Sequence, residues 1–235
     1  MAAVSSTGRT AARIDRRSFL VLGGAFVLAA CADQFGSSDD DEPDSSDRAY
    51  WSEHFPHVEL IGDSIFAGSA TALVTTLEGA GVVEAKIDAQ PGRRMKVGSG
   101  ENGEPFSGAS AIYVSIADGA QPSAWVISLG TNDIGNYATA EEYAAQIDTI
   151  LAMVPPPVPL VWVNVYVPYN PEHTNMFNTV IEERLSDRGD ARVADWYSVA
   201  SSPDRHVLAD TVHPNEEGQQ VLAMLVLDAL GKLNP

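Results

Sequence analysis

The sequence is poor in cysteine, in basic residues and in long apolar runs, and each shortage excludes something. Its 235 residues include one cysteine, Cys31, so there is no internal disulfide and no cysteine-based zinc site. Lysine and arginine number 14 against 32 aspartates and glutamates, giving a formal net charge of −18. With no basic stripe to displace phosphate counterions, nucleic acid is a poor partner. The apolar run at residues 18–30 has 13 residues, short of the roughly 20 that cross a bilayer as a helix. The stretch GDSIFAGSA lacks the Gly-Lys-Ser/Thr ending of a phosphate loop. No Gly-x-Ser-x-Gly elbow occurs, which argues against an ordinary α/β-hydrolase. What remains is ample apolar material, 45 % of the chain, enough for one domain with a sizeable core.

The first 30 residues read as an export signal outside the fold. Arg9, Arg13, Arg16 and Arg17 form a basic region ahead of the apolar run, which ends in LAAC. Small residues before a cysteine resemble the lipobox of bacterial lipoprotein signals. That resemblance implies a diacylglycerol thioether on Cys31, and a protein held at the extracytoplasmic face of the cell membrane. DRRSFLV is similar to the twin-arginine export motif, although an ordinary secretory signal also carries such a pair. Residues 31–55 are rich in Asp and Ser and poor in apolar side chains until Tyr50. They are expected to form an acidic tether, too polar to fold and extended by self-repulsion. His54 and His57 lack metal-ligating partners and read as structural or surface residues.

Residues 56–235 alternate between short β-rich runs and helical patterns. Strands are predicted at 58–62, 83–89, 124–130, 159–167 and 191–196, apolar on consecutive positions, as suits strands covered on both faces. Helices are predicted over 68–81, 106–119, 139–154, 178–189 and 214–233. Thr139 and Glu142 have the spacing of a capping box. Alternation of this kind predicts a three-layer, doubly wound α/β domain with a five-stranded parallel sheet.

In such sheets ligands bind beyond the carboxyl ends of the strands. The first strand delivers Asp63-Ser64, the second QPGRR with Gly92, and the third GTND with Asn132 and Asp133. The loop before the last helix delivers LADTVHPN with Asp210 and His213. Each residue type suits acyl transfer. A serine hydroxyl needs a base, for which His213 is the candidate. The imidazole needs a partner to fix its tautomer, and Asp210 lies three residues earlier. The oxyanion needs donors, and the backbone N–H groups of Ser64 and Gly92 with the Asn132 amide are the candidates. Ser64 taken alone reads as a helix N-cap, and Pro214 as the first turn of the last helix. Arg93 and Arg94 read either as cations gripping an anionic or sugar-rich substrate or as surface ion pairs. Trp125 and Trp162 read as core, whereas Trp51, Tyr166 and Tyr169 are placed to stack on a sugar.

GDSI, the glycine of PGRR, GTND and DTVHPN, in that order over residues 62–215, resemble the four blocks of the SGNH/GDSL hydrolase family. The leucine that often follows GDS is Ile65 here, similar in size and apolarity. The resemblance implies a flavodoxin-like fold with Ser64 as nucleophile, His213 as base and Asp210 as its orienter. It also implies Ser64, Gly92 and Asn132 as oxyanion-hole residues, and neither metal nor organic cofactor. The expected activity is hydrolysis of short acyl esters, O-acetyl groups on envelope glycans foremost. The alternatives are an O-acyltransferase, a lipase or thioesterase, and a binding lipoprotein that has kept the fold without the reaction.

Overall fold

In the computed structural model, the described residues are 45–98, 106–154 and 156–233. Cys31, the predicted signal and the first part of the predicted tether lie outside them. Five strands, β1 (His57–Gly62), β2 (Glu84–Ala89), β3 (Ala124–Ser128), β4 (Leu160–Val163) and β5 (Ala191–Ala194), form one parallel sheet in the order β2-β1-β3-β4-β5. The crossovers are helical: α2 (Ser64–Ala80), α3 (Gly108–Ala117), α4 (Ala140–Met153) and α5 (Pro171–Ser186). The short α6 (Trp196–Ala200) and then α7 (Glu216–Gly231) follow β5.

Strands β1, β3 and β4 carry apolar residues at consecutive positions because each feeds two cores, whereas the edge strand β2 (EAKIDA) alternates and feeds one. Val58 and Leu60 of β1, Val126 of β3, and Val161 and Val163 of β4 face the layer of α2 and α7. Ile61, Trp125, Ile127, Leu160 and Trp162 face the layer of α3, α4 and α5. Trp125 and Trp162 are therefore core, as the sequence indicates. Strand order reverses between β1 and β3, whose carboxyl ends carry Ser64 and Asn132.

Three features depart from the sequence reading. Residues 45–54, assigned above to the tether, form a helix, α1 (Ser45–His54). Tyr50 and Trp51 pack on the α2/α7 core, and Phe55 is fully buried. Arg48 donates to the Gly79 carbonyl at 2.9 Å, so α1 is docked at the far end of α2 rather than extended. The strand predicted over 159–167 ends at Val163. Beyond it the Asn178 side chain takes over from the ladder, accepting from Val165 N at 3.0 Å and donating to Val165 O at 2.9 Å. Finally, α6 is too short to show a periodic pattern in the sequence.

Candidate active site

The β1–α2 junction builds the first part of the site. Asp63, not Ser64, is the N-cap: its Oδ1 accepts from Ile65 N at 2.9 Å. Ser64 is thus the first residue of a 17-residue helix, where the helix N-terminus favours negative charge. The second part comes from the loop before α7. Asp210 Oδ1 accepts the backbone N–H groups of Val212 and His213, each at 2.8 Å, which folds 210–213 into a tight turn. Ala209 N donates to His213 O at 2.8 Å and closes it. Asn215 caps α7, accepting from Gly218 N at 2.9 Å, so Pro214 lies just ahead of the helix rather than in its first turn.

These two parts meet. His213 Nε2 lies 3.0 Å from Ser64 Oγ, across 149 positions of sequence. His213 Nδ1 lies 2.8 Å from Asp210 Oδ2. The group stands at the surface, with the His213 and Asp210 side chains 43 % and 56 % exposed. Asp210 is held near a pKa of about 2 by the N–H groups of His213 and Val212, and then by the imidazole.

Gly92 and Asn132 are tied into the same edge. Gln90 to Arg93 form a turn closed by Arg93 N donating to Gln90 O at 3.2 Å. Pro91 and Gly92 occupy its centre, and Gly92 has φ +78°, the type II arrangement that glycine permits. The turn hangs from the end of β1, because Gln90 N donates to Gly62 O at 3.1 Å. Asn132 Nδ2 donates to Arg93 O at 3.1 Å, which leaves its second amide hydrogen for another acceptor. The Asn132 loop is held in turn by Tyr143, whose hydroxyl accepts from Gly135 N at 2.8 Å and sits 3.2 Å from His173 Nδ1.

Two carboxyls lie beneath the site. Asp63 is fully buried, and desolvation raises its pKa to about 7 against the opposing pull of Ile65 N–H and Thr131. Asp133 is also buried and is raised to about 6, although Met95 N–H at 3.0 Å and Arg94 pull it down. Arg94 Nε lies 3.4 Å from Asp133 Oδ1, and its guanidinium faces the Tyr137 ring.

Neither reading of Arg93 as a substrate-gripping cation or a surface ion pair survives. Its side chain is 1 % exposed and points inward, bonded to Asp88 and three carbonyls. No local signal in the sequence distinguishes it from Arg94, because its partners converge only in the fold. Tyr169 is exposed near the carboxyl edge, whereas Tyr166 packs edge-on against Tyr197 and Trp51 lies in the α1 dock. Among the described residues, no group of three or more His, Cys, Asp or Glu is placed to hold a metal ion. No helix among them is long and apolar enough to cross a membrane.

The model of the GDSL-like lipase/acylhydrolase family matches residues 60–221, most of the chain and all four motif blocks. The chain belongs to that family, and its class is that of the hydrolases acting on ester bonds. No curated protein matches it in sequence. Among solved structures it is similar to the inhibitor-bound aryl esterase of M. smegmatis, with a TM-score of 0.60 and 17 % identity over 75 % of this chain and 99 % of that one. It is also similar to the catalytic domain of peptidoglycan O-acetyltransferase A from Streptococcus pneumoniae, with a TM-score of 0.57 and 23 % identity over 74 % and 92 %. A carbohydrate acetylesterase of Sinorhizobium meliloti matches with a TM-score of 0.57 and 15 % identity over 74 % and 97 %. At these identities the likeness is one of fold.

Proposed function

We propose that the protein is a serine esterase that hydrolyses short acyl esters, O-acetyl groups on envelope glycans foremost, with Ser64, His213 and Asp210 as its triad. The observation that carries this reading is the pair of contacts on one imidazole, 3.0 Å to Ser64 Oγ and 2.8 Å to Asp210 Oδ2. In this reading Asp210, ionised at ordinary pH, accepts a hydrogen bond from Nδ1–H, which fixes the tautomer and leaves Nε2 as the base. Ser64 Oγ attacks the ester carbonyl carbon as its proton passes to Nε2. The oxyanion is received by the N–H groups of Ser64 and Gly92 and by the Asn132 amide. The alcohol departs with the proton from Nε2, leaving an acyl-Ser64. Water, deprotonated by His213, then releases the acid.

The surface position of the triad supports a substrate whose ester sits on a bulky carrier such as a glycan. The likeness to a carbohydrate acetylesterase and to a peptidoglycan O-acetyltransferase points the same way. The latter also supports a second reading, in which a sugar hydroxyl replaces water as acceptor. We further propose export and lipid attachment at Cys31, on the strength of the Arg16-Arg17 pair, the 13-residue apolar run and LAAC.

The test is covalent. The wild type is expected to be labelled by a fluorophosphonate and to hydrolyse p-nitrophenyl acetate, and Ser64→Ala to do neither. A wild type that resists labelling overturns the esterase. Adding a sugar acceptor and following acyl transfer separates hydrolysis from transfer.

A further inference from the structure

We infer that Arg93 is a positioning residue that sets the oxyanion donors against Ser64 from behind, without touching substrate. This rests on the esterase reading above and concerns how its transition state is held.

The side chain makes all of its polar contacts inside the protein. Nε donates to Phe106 O at 3.0 Å, just ahead of α3. One terminal nitrogen, Nη1, donates to Gly62 O at 3.2 Å and to Asp88 O at 2.5 Å. The other, Nη2, meets Asp88 Oδ1 at 2.7 Å. One planar group thereby joins the end of β1, the end of β2 and the entry to α3. The end of β1 is the critical partner, because Gly62 stands two residues before Ser64. Its carbonyl also accepts Gln90 N, so the turn bearing Gly92 is fixed to β1 at both of its ends.

The backbone of the same residue completes the arrangement. The peptide preceding Arg93 follows Gly92 directly, and the Arg93 carbonyl holds Asn132 Nδ2. Two of the three proposed donors are therefore adjacent to Arg93 or bonded to it, and its guanidinium references both to the strand that delivers the third. A buried arginine with one carboxylate partner is a costly way to close a loop, since removing a charge from water costs several kcal/mol before compensation. Lysine cannot substitute: it carries one nitrogen, whereas these four bonds leave from three nitrogens held in a fixed plane. Misplacing oxyanion donors weakens an interaction made only in the transition state, so the loss falls on kcat and spares KM.

The experiment is a double-mutant cycle on the intact protein with p-nitrophenyl acetate, counting active sites by fluorophosphonate labelling and monitoring folding by thermal melting. Arg93→Lys is expected to lower kcat per labelled site by about 100-fold, as for loss of one oxyanion donor, with KM within about 2-fold. Asn132→Ala alone is expected to cost about 100- to 1,000-fold. The double variant is expected to lose much less than the product of the two, because both act through one amide. A purely structural Arg93 would lower the melting temperature and leave kcat per labelled site unchanged, which overturns the inference, as do losses that multiply independently. If Arg93→Lys fails to fold, Asp88→Asn takes its place, since the Asp88 side chain is half-exposed. A fall in its kcat at constant KM supports the inference, and an unchanged kcat overturns it. Full activity in Ser64→Ala would instead remove the esterase reading itself.

Discussion

The carbonyl oxygen of Val207 occupies the space where a side chain on Gly218 would begin. That close approach lets the first turn of α7 lie directly against the strand of chain that leads into the Asp210–His213 turn. Asn215 N donates to Val207 O at 2.9 Å, so one carbonyl receives the helix entry and excludes a Cβ at the same time. His213 reaches Ser64 because this junction is tight. Gly218→Ala is expected to force the junction apart, at a cost of about 1–3 kcal/mol in stability. It is also expected to lower kcat/KM by at least about 10-fold in the fraction that remains folded. Urea denaturation and p-nitrophenyl acetate kinetics measure the two effects, and full activity in the Gly218→Ala variant would contradict this account of the loop.

Asp210, proposed above as the orienting carboxylate, is separable by substitution from Ser64 and His213. Asp210→Asn preserves the shape of the turn and removes the charge facing Nδ1. It is expected to reduce kcat by about 100- to 10,000-fold. Adding Ser64→Ala to His213→Ala is expected to cost almost nothing further, since the two act as a unit. Independent, multiplying losses would break the triad assignment.

Asp210 also fixes what an acid pH profile reports. With its pKa near 2, it holds its charge throughout the range above about pH 3. The acid limb of kcat/KM above pH 4 is therefore expected to receive no contribution from Asp210. A titration of the Asp210 carboxyl above pH 4, followed by NMR, would be the contrary result.

Asp63 has the opposite sign. Folding raises its pKa from 3.8 to about 7 by burial, so the folded protein holds that proton more tightly than the unfolded chain does. Its contribution to stability is therefore complete below pH 4 and is lost as pH rises towards 7, by at most about 4 kcal/mol. Asp63→Asn keeps an oxygen for Ile65 N–H and cannot ionise. Relative to wild type it is expected to be more stable at pH 8 than at pH 5, as measured by urea denaturation. An identical difference at both pH values would remove the ionisation argument.

The Tyr143 hydroxyl supplies the partner for Gly135 N–H in the Asn132 loop, and Tyr143 itself is fully buried. Tyr143→Phe strands that donor, at a cost of about 1–3 kcal/mol. Because Asn132 rides on the same loop, kcat is expected to fall more than KM rises.

Much of this architecture is legible in the residues themselves. The central strands β1, β3 and β4 are readable because they are apolar on both faces, the edge strand β2 by its alternation, and the capping box of α4 forms as the Thr139/Glu142 spacing implies. Ser64 stands out at the carboxyl end of β1 and Asp210 and His213 by their spacing in the loop before α7, and the fold brings the three within hydrogen-bond reach. What escapes is set by tertiary contact. Helix α1 opens in a Ser/Asp-rich segment with weak helical character, and Tyr50, Trp51 and Phe55 gain their order only from α2 and α7. The cap belongs to Asp63 because the serine hydroxyl is turned to the imidazole. Arg93 looks like a solvent-facing cation because nothing nearby in sequence announces three carbonyls waiting for it.

Helix α1 also orients the whole body. Arg48 binds Gly79 near the tail of α2, and Trp51 rests against Gly231 at the tail of α7. α2 begins at Ser64 and α7 three residues after His213, and both run away from that pair, so α1 lies at the opposite pole of the domain. Substitutions at Arg48 or Trp51 would therefore loosen the domain at its base, a full helix length away from the groups that surround Ser64.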